Sequence, residues 1–254
     1  MKKTLVLVAI ICTALFTQAQ TKTVLSDTIS NKTDSKGLKQ GLWKEKDGVK
    51  TWQGTYIDGK KNGNWLSYSD RGAFNGMETY KDGKKDGIFL SFDFSGYLTK
   101  EQSYKDDLLH GYVKSYQYGN RIKEISFYIN GKLNGEMKKY YENDKLQEEA
   151  TYVDDLKDGA ARWYNQDGKL LIEYNYKNGK LEGIQKSYYA GGAVSSEDTY
   201  VNNVQQGSSK EFYENGKLKT EGMFKNDLKE GVWKEYDENG KVTKTTKYVG
   251  GVAK

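Results

Sequence analysis

Glycine recurs at Gly63, Gly87, Gly111, Gly135, Gly159, Gly183, Gly207 and Gly231, each 24 residues after the last. A strict period of that length means a chain built from copies of one small unit, each stacked on its neighbours. Gly41 stands 22 residues before Gly63, so the first unit is shorter by two.

Other positions keep the same register, counted here from the glycine of each unit. Five residues on is an aromatic: Tyr68, Phe92, Tyr116, Tyr140, Tyr164, Tyr188, Phe212 and Tyr236. Nine on is Gly, Asn or Asp, the residues most tolerant of a left-handed backbone. Eleven on is apolar, from Phe74 through Leu146 to Val242, and seventeen on is aromatic again, from Tyr80 to Tyr248. Pairs such as Asp82-Gly83 and Asn130-Gly131 follow, suited to two-residue type I′ hairpin turns. Each unit therefore reads as two strands and two turns. The plus-five aromatic should face the plus-eleven residue across the hairpin, and the recurring glycine should lie beside the plus-seventeen tyrosine.

The fold class that follows is all-β: an elongated single-layer antiparallel meander of about nine stacked hairpins, on the order of 85 Å long at about 4.8 Å per strand. Counting along the strands puts the plus-seventeen tyrosines on one face with the plus-two position and the plus-five aromatics on the other. A bulge at the recurring glycine is expected to supply the one irregularity that brings both sets together. The candidate interaction face is then Trp65, Tyr68, Tyr80, Phe89, Tyr104, Tyr116, Tyr128, Tyr140, Tyr152, Tyr164, Tyr176, Tyr188, Tyr200, Trp233 and Tyr236. In the middle units the plus-two position holds Met137, Ala161, Gln185 and Ser209, so the aromatic stripe thins there.

The first residues pair Lys2 and Lys3 with an apolar run from Leu5 to Phe16 and a small-residue exit, the proportions of a secretory signal. Residues 1–19 read as that signal, with cleavage after Ala19, residues 20–36 as a flexible leader and residues 37–254 as the repeat domain. The expected location is exported: periplasmic, cell-surface or secreted. Cys12, the only cysteine, falls inside the apolar run and leaves with it. Loss of Lys2 and Lys3 takes the formal charge from +5 to +3, too mild and too dispersed to argue for nucleic acid.

The pattern Tyr-x-x-x-Gly-x-Leu, then Tyr-x-Asn-Gly-Lys, then Gly-x-Trp resembles the MORN repeat in its bacterial variant form. Tyr164–Gly183 and Phe212–Tyr236 match it best, and the resemblance runs from about Gly37 to Lys254. It implies an interaction scaffold made of antiparallel hairpins, with an antitoxin-like role as an association of the family.

The chemistry-bearing residues read as structural. His110 is the only histidine, and its slot just before the glycine is held elsewhere by Asn62, Asp158 or Glu230, a polar position near a turn. No transition-metal, catalytic or cofactor site is expected from such a set. Asp106-Asp107 and Asp154-Asp155 could suggest calcium, but turn chemistry explains them better, since equivalent turns lie near 10 Å apart. The plus-fourteen position is glutamate in Glu101, Glu149, Glu173, Glu197 and Glu221, which reads as a surface ladder rather than a hydrolase pair. The expected function is a non-enzymatic scaffold for an unidentified protein partner, with an envelope glycan or lipid head group as the alternative. A monomer is expected, because Lys241, Lys244, Lys247 and Lys254 charge the last edge and oppose strand addition.

Overall fold

The computed structural model describes residues 31–254; the signal segment, its cleavage site and Cys12 lie outside the described residues. The described chain holds strands and turns without a helix. It divides into two compact units, one ending at Gly96 and the other running from Tyr97 to Lys254. Within each, successive strands pair antiparallel as hairpins, as in Leu156–Tyr164 with Leu170–Lys177 and Lys60–Tyr68 with Phe74–Lys81. This is the all-β meander that the period predicts.

The turns form because the sequence puts left-handed-tolerant residues where the hairpins need them. From Asp58-Gly59 to Gly250-Gly251, both central residues of every second turn have positive φ, between 47° and 85°. That is the type I′ geometry whose twist matches the strands. At the other edge, Asn165 to Lys169 shows the longer loop, with Asn165 Oδ1 accepting the amides of Asp167 and Lys169 and Gly168 at φ 81°. The loop sets the register, so Tyr164 faces Leu170 and Tyr236 faces Val242. In the short first unit a two-residue turn at Gly48-Val49 replaces this loop, and the pairing runs from Gly41–Tyr56 to Asp47–Lys50 without a bulge.

The recurring glycine pairs with the plus-seventeen aromatic, as in Gly159–Tyr176 and Gly207–Phe224, and the ladder is irregular beside it. Ala150 faces Ala161 and Tyr152 faces Lys157, so Thr151 stands opposite three residues, Asp158 to Ala160. Here the expectation of a single face fails. The irregularity adds two residues, an even number, so the alternation of side chains is unchanged across it. The plus-five aromatics stay on the face opposite the plus-seventeen tyrosines. Glycine is required at this slot for its backbone: φ is 108° at Gly159 and 70° at Gly63, and nothing lies within 4 Å of a Cβ built on Gly63.

The core lies on the face of the plus-two and plus-seventeen positions. Trp65 is fully buried, and Phe89, Met137, Ala150, Ala161 and Trp233 are buried as well. With one layer of sheet per unit, each side chain is covered by neighbours on its own face. Trp65 and Trp233 lie over Gly54 and Gly222, where an added Cβ would come within 2.3 and 2.1 Å of the indole. Their Nε1–H groups donate to the carbonyls of Thr55 and Met223, each at 3.2 Å, so the arrangement is the same in both units.

The reading of residues 20–36 as a flexible leader needs one change. Lys32–Thr33 is a short strand against Gln40 and Lys39. Asn31 exchanges two hydrogen bonds with the backbone of Lys44, and Asp34 Oδ1 accepts the amides of Lys36 and Leu38. These contacts cover part of the outer edge of the first repeat strand.

The contact of Trp233 with Gly222 generates a test. Gly222→Ala should lower the melting temperature by several degrees, since overpacking costs about 1–3 kcal/mol. In the background Trp233→Val the same alanine should cost almost nothing, and differential scanning calorimetry of the double-mutant cycle measures the difference.

Candidate functional site

The two faces carry different chemistry. On the first face, the lysine two residues before the repeating glycine reaches over the aromatics. Lys61 Nζ lies 4.2 Å from the centroid of Trp65 and 5.3 Å from that of Tyr80. Lys157 repeats this over Trp163 at 4.6 Å and Tyr176 at 5.3 Å, and Lys229 over Trp233 at 4.1 Å and Tyr248 at 5.3 Å. Lys39 covers Trp43 and Tyr56, both at 4.6 Å, and Lys85 covers Phe89 at 5.2 Å. The pairing was legible in the sequence: this slot is Leu109, Leu133, Leu181 or Gln205 in the units whose plus-two and plus-four positions hold no aromatic. Each such cation over a ring contributes about 0.5–1 kcal/mol where solvent reaches it.

Where the stripe thins, a polar network replaces it. Gln185 is buried; its side-chain amide donates to the carbonyl of Gly183, and its carbonyl accepts the amide of Asn175. Asp198 Oδ1 accepts from Gln205 and Ser209, each at 2.7 Å. Gln185 and Asp198, with Tyr174, Leu181, Ser187, Ser196 and Tyr200, line a recess of only ≈ 50 Å³.

The second face carries the plus-five aromatics and a row of charge. In the C-terminal unit Lys138, Glu149, Arg162, Glu173, Lys186, Glu197, Lys210, Glu221 and Lys234 stand opposite one another in strict alternation. Arg162 bridges Glu149 and Glu173, Lys186 meets Glu197 at 2.8 Å, and Lys234 meets Glu221 at 3.8 Å. The plus-five hydroxyls donate into the same row: Tyr116 to Glu101, Tyr164 to Glu149 and Tyr236 to Glu221. Of the candidate residues, Trp65, Tyr80, Phe89, Tyr104, Tyr128, Tyr152, Tyr176, Tyr200 and Trp233 thus share the first face. Tyr68, Tyr116, Tyr140, Tyr164, Tyr188 and Tyr236 share the second.

Sequence reading missed the ladder along the type I′ turns. The residue just before the repeating glycine accepts the amide of the turn in its own unit: Asp158 from Asn178, Glu182 from Asn202, Gln206 from Asn226, Glu230 from Gly250. His110 Nδ1 takes this place, 3.5 Å from the amide of Asn130 and 3.3 Å from its Oδ1. Asp155, Asn203 and Asp227 use their side-chain oxygens on the amides of Leu133, Leu181 and Gln205. Tyrosines one position past the plus-five aromatic staple unit to unit at the other edge: Tyr141, Tyr189 and Tyr213 donate to the carbonyls of Tyr164, Phe212 and Tyr236 at 2.6–2.7 Å. The recurrence of a polar residue was the available signal; its partner, some twenty residues away, was not.

On the second face burial raises the phenols of Tyr116, Tyr164 and Tyr188, and nearby carboxylates add to it. Tyr116 is pushed far up by burial and then by Glu101, and Tyr164 is pushed up to about 12 by burial and its hydrogen bond to Glu149. A phenol raised above its unfolded value of about 10 stabilises the fold fully below that pH and loses the contribution as pH rises through the folded value. The protein should therefore lose stability between about pH 10 and 12, and Tyr164→Phe should flatten that loss in denaturant titrations across the range.

The MORN repeat variant model matches residues 133–154, 157–178, 181–202, 205–226 and 229–249. No curated protein matches. Among solved structures, the TcdB2-TccC3-Cdc42 crystal structure is similar at 14% identity over 85% of this chain, with a TM-score of 0.21. The TcdB2-TccC3 structure is similar at 12% over 86%, with a TM-score of 0.16. The chain spans only 13% and 18% of those two chains. Each matched segment begins two residues before a repeating glycine and covers one hairpin with the strand that follows its loop, so the model and the observed ladders agree on the unit. Residues 133–249 thus form five tandem repeats of the MORN variant type.

Proposed function

We propose that this protein is an exported, non-enzymatic scaffold that binds a protein partner along its sheet faces. One observation carries the reading: its conspicuous side chains recur at equivalent positions and are spent on one another. Lysines cover rings, glutamates alternate with cations, and carboxylates and carboxamides at the turn edge accept amides of nearby turns and strands. A catalyst needs one constellation unlike its surroundings; here chemistry is distributed evenly, which suits a surface read over many strands. The apolar run from Leu5 to Phe16 supports export.

The glycan or lipid reading needs aromatic rings open to a ligand, and the indoles of Trp65 and Trp233 are buried beneath lysines and tyrosines. Titrating envelope oligosaccharides or anionic vesicles against intrinsic tryptophan fluorescence should leave the emission unchanged. Cross-linking in the exported compartment, followed by mass spectrometry, should join exposed lysines reproducibly to one protein. A saturable fluorescence change with oligosaccharide, lost on Trp65→Leu, would overturn the scaffold reading in favour of a ligand module.

A further inference from the structure

Three of the lysines that cover rings on the first face also meet a carboxylate. Lys39 lies 2.8 Å from Glu45, Lys61 lies 3.8 Å from the other oxygen of the same residue, and Lys157 lies 3.4 Å from Glu148. An ammonium held between aromatic rings and a carboxylate is therefore an arrangement that this fold builds repeatedly from its own residues. Both surroundings favour a cation, the ring through its negative face and the carboxylate through its charge.

At the recess beside Gln185 the rings and the carboxylate are present and the lysine is not. The position two residues before the glycine is Leu181 in this unit and Gln205 in the next. Asp198 stands between Gln185 and Ser209 in the ladder, in the slot that Ala150 and Gly222 fill elsewhere. Its Oδ1 accepts from two neutral donors, Gln205 and Ser209, and among the described residues neither a donor nor a cation meets its Oδ2. Tyr174 and Tyr200 wall the recess without a lysine over either ring, and the hydroxyls of Ser187 and Ser196 take no hydrogen bond among the described residues. The surrounding lysines are placed elsewhere. Lys186 and Lys210 stand on the opposite face against Glu197, and Lys219 meets Glu211 at the loop side. Lys157 and Lys229 lie three strands away on either side, each over its own rings.

We infer that this recess receives the ε-ammonium of a lysine side chain presented by the protein partner, an inference that rests on the scaffold reading. The partner's lysine takes the place that the chain's own lysine fills over Trp65, Trp163 and Trp233. An ammonium carries three donors and no acceptor, and Asp198 Oδ2 with the hydroxyls of Ser187 and Ser196 supplies three free acceptors, while Tyr174 and Leu181 give the methylenes an apolar wall. The recess of ≈ 50 Å³ has room for about three or four water-sized groups, which is the end of a lysine side chain. An arginine fork binds a carboxylate through both oxygens, and here Oδ1 is already occupied by Gln205 and Ser209.

The test is a titration of the exported, processed chain with Nα-acetyl-lysine methylamide, followed through the amide NMR signals of Gln185, Ser187 and Ser196. Saturable shifts confined to the recess are expected, with half-saturation at about 1–10 mM, as a handful of contacting atoms allows. The Nε-acetylated compound, which carries no charge, and sodium chloride at equal ionic strength should leave those signals in place. Leu181→Lys gives the recess a lysine of its own and should weaken binding at least tenfold with an unchanged circular dichroism spectrum. Asp198→Asn keeps the shape and removes the charge; it should weaken binding as much, and it decides the matter should Leu181→Lys misfold. Equal shifts with the neutral compound, unchanged affinity in either folded variant, or no saturation up to about 0.1 M overturn the inference. Such a failure alongside reproducible cross-linking to one protein removes the lysine site and keeps the scaffold. Binding of the probe by a chain that cross-links to nothing removes the partner as the source of the lysine.

Discussion

A hairpin in a single layer of sheet has no second layer against which to bury its apolar side chains, and the rest of the structure follows from that constraint. Burial must come from neighbours on the same face. The fold answers by making the neighbours identical, so that a lysine stem, a tyrosine ring and an indole recur at spacings that let each cover the next. Trp65 reaches complete burial on this principle, over Gly54 and under Lys61. Where the sequence offers no aromatic, Gln185, Asp198 and Ser209 close the surface with hydrogen bonds instead. Either solution leaves few polar groups unpartnered, as burial demands.

Turn geometry keeps the copies identical. Two central residues of positive φ hold each second turn in the type I′ form, and the amides and oxygens of that turn bind the strand that begins the same unit. The register at one edge is therefore tied to the register at the other, and an irregularity of two residues at the repeating glycine leaves the two faces distinct. One face is a packed surface of rings and lysine stems. The other is a ladder of charge in the C-terminal unit and an apolar patch in the N-terminal one. The same backbone supports both, so the repeat register does not dictate the difference between them.

The 24-residue period, the two turn types and the facing of Tyr236 with Val242 were all legible in the sequence, because each depends on residues close together along the chain: a glycine for a left-handed backbone, an Asn-Gly pair for a tight turn, an aromatic opposite an aliphatic. The pairing of Lys61, Lys157 and Lys229 with aromatics was also written there, as an internal correlation between units, and became visible as chemistry only when the ring distances were known. The role of His110 was not legible, since its partner, the amide of Asn130, stands twenty residues away on a neighbouring turn.

The sequence by itself determined the repeat, its hairpin content and the identity of each conserved slot, because local backbone preference and side-chain alternation act over a few residues. Tertiary structure alone decided which slots share a face. That choice turns on whether the irregularity at Gly159 and its counterparts adds one residue or two, a matter of how neighbouring strands settle their hydrogen bonds. By adding two, the sheet separated Tyr164 from Tyr176, placing one among charges and the other among rings.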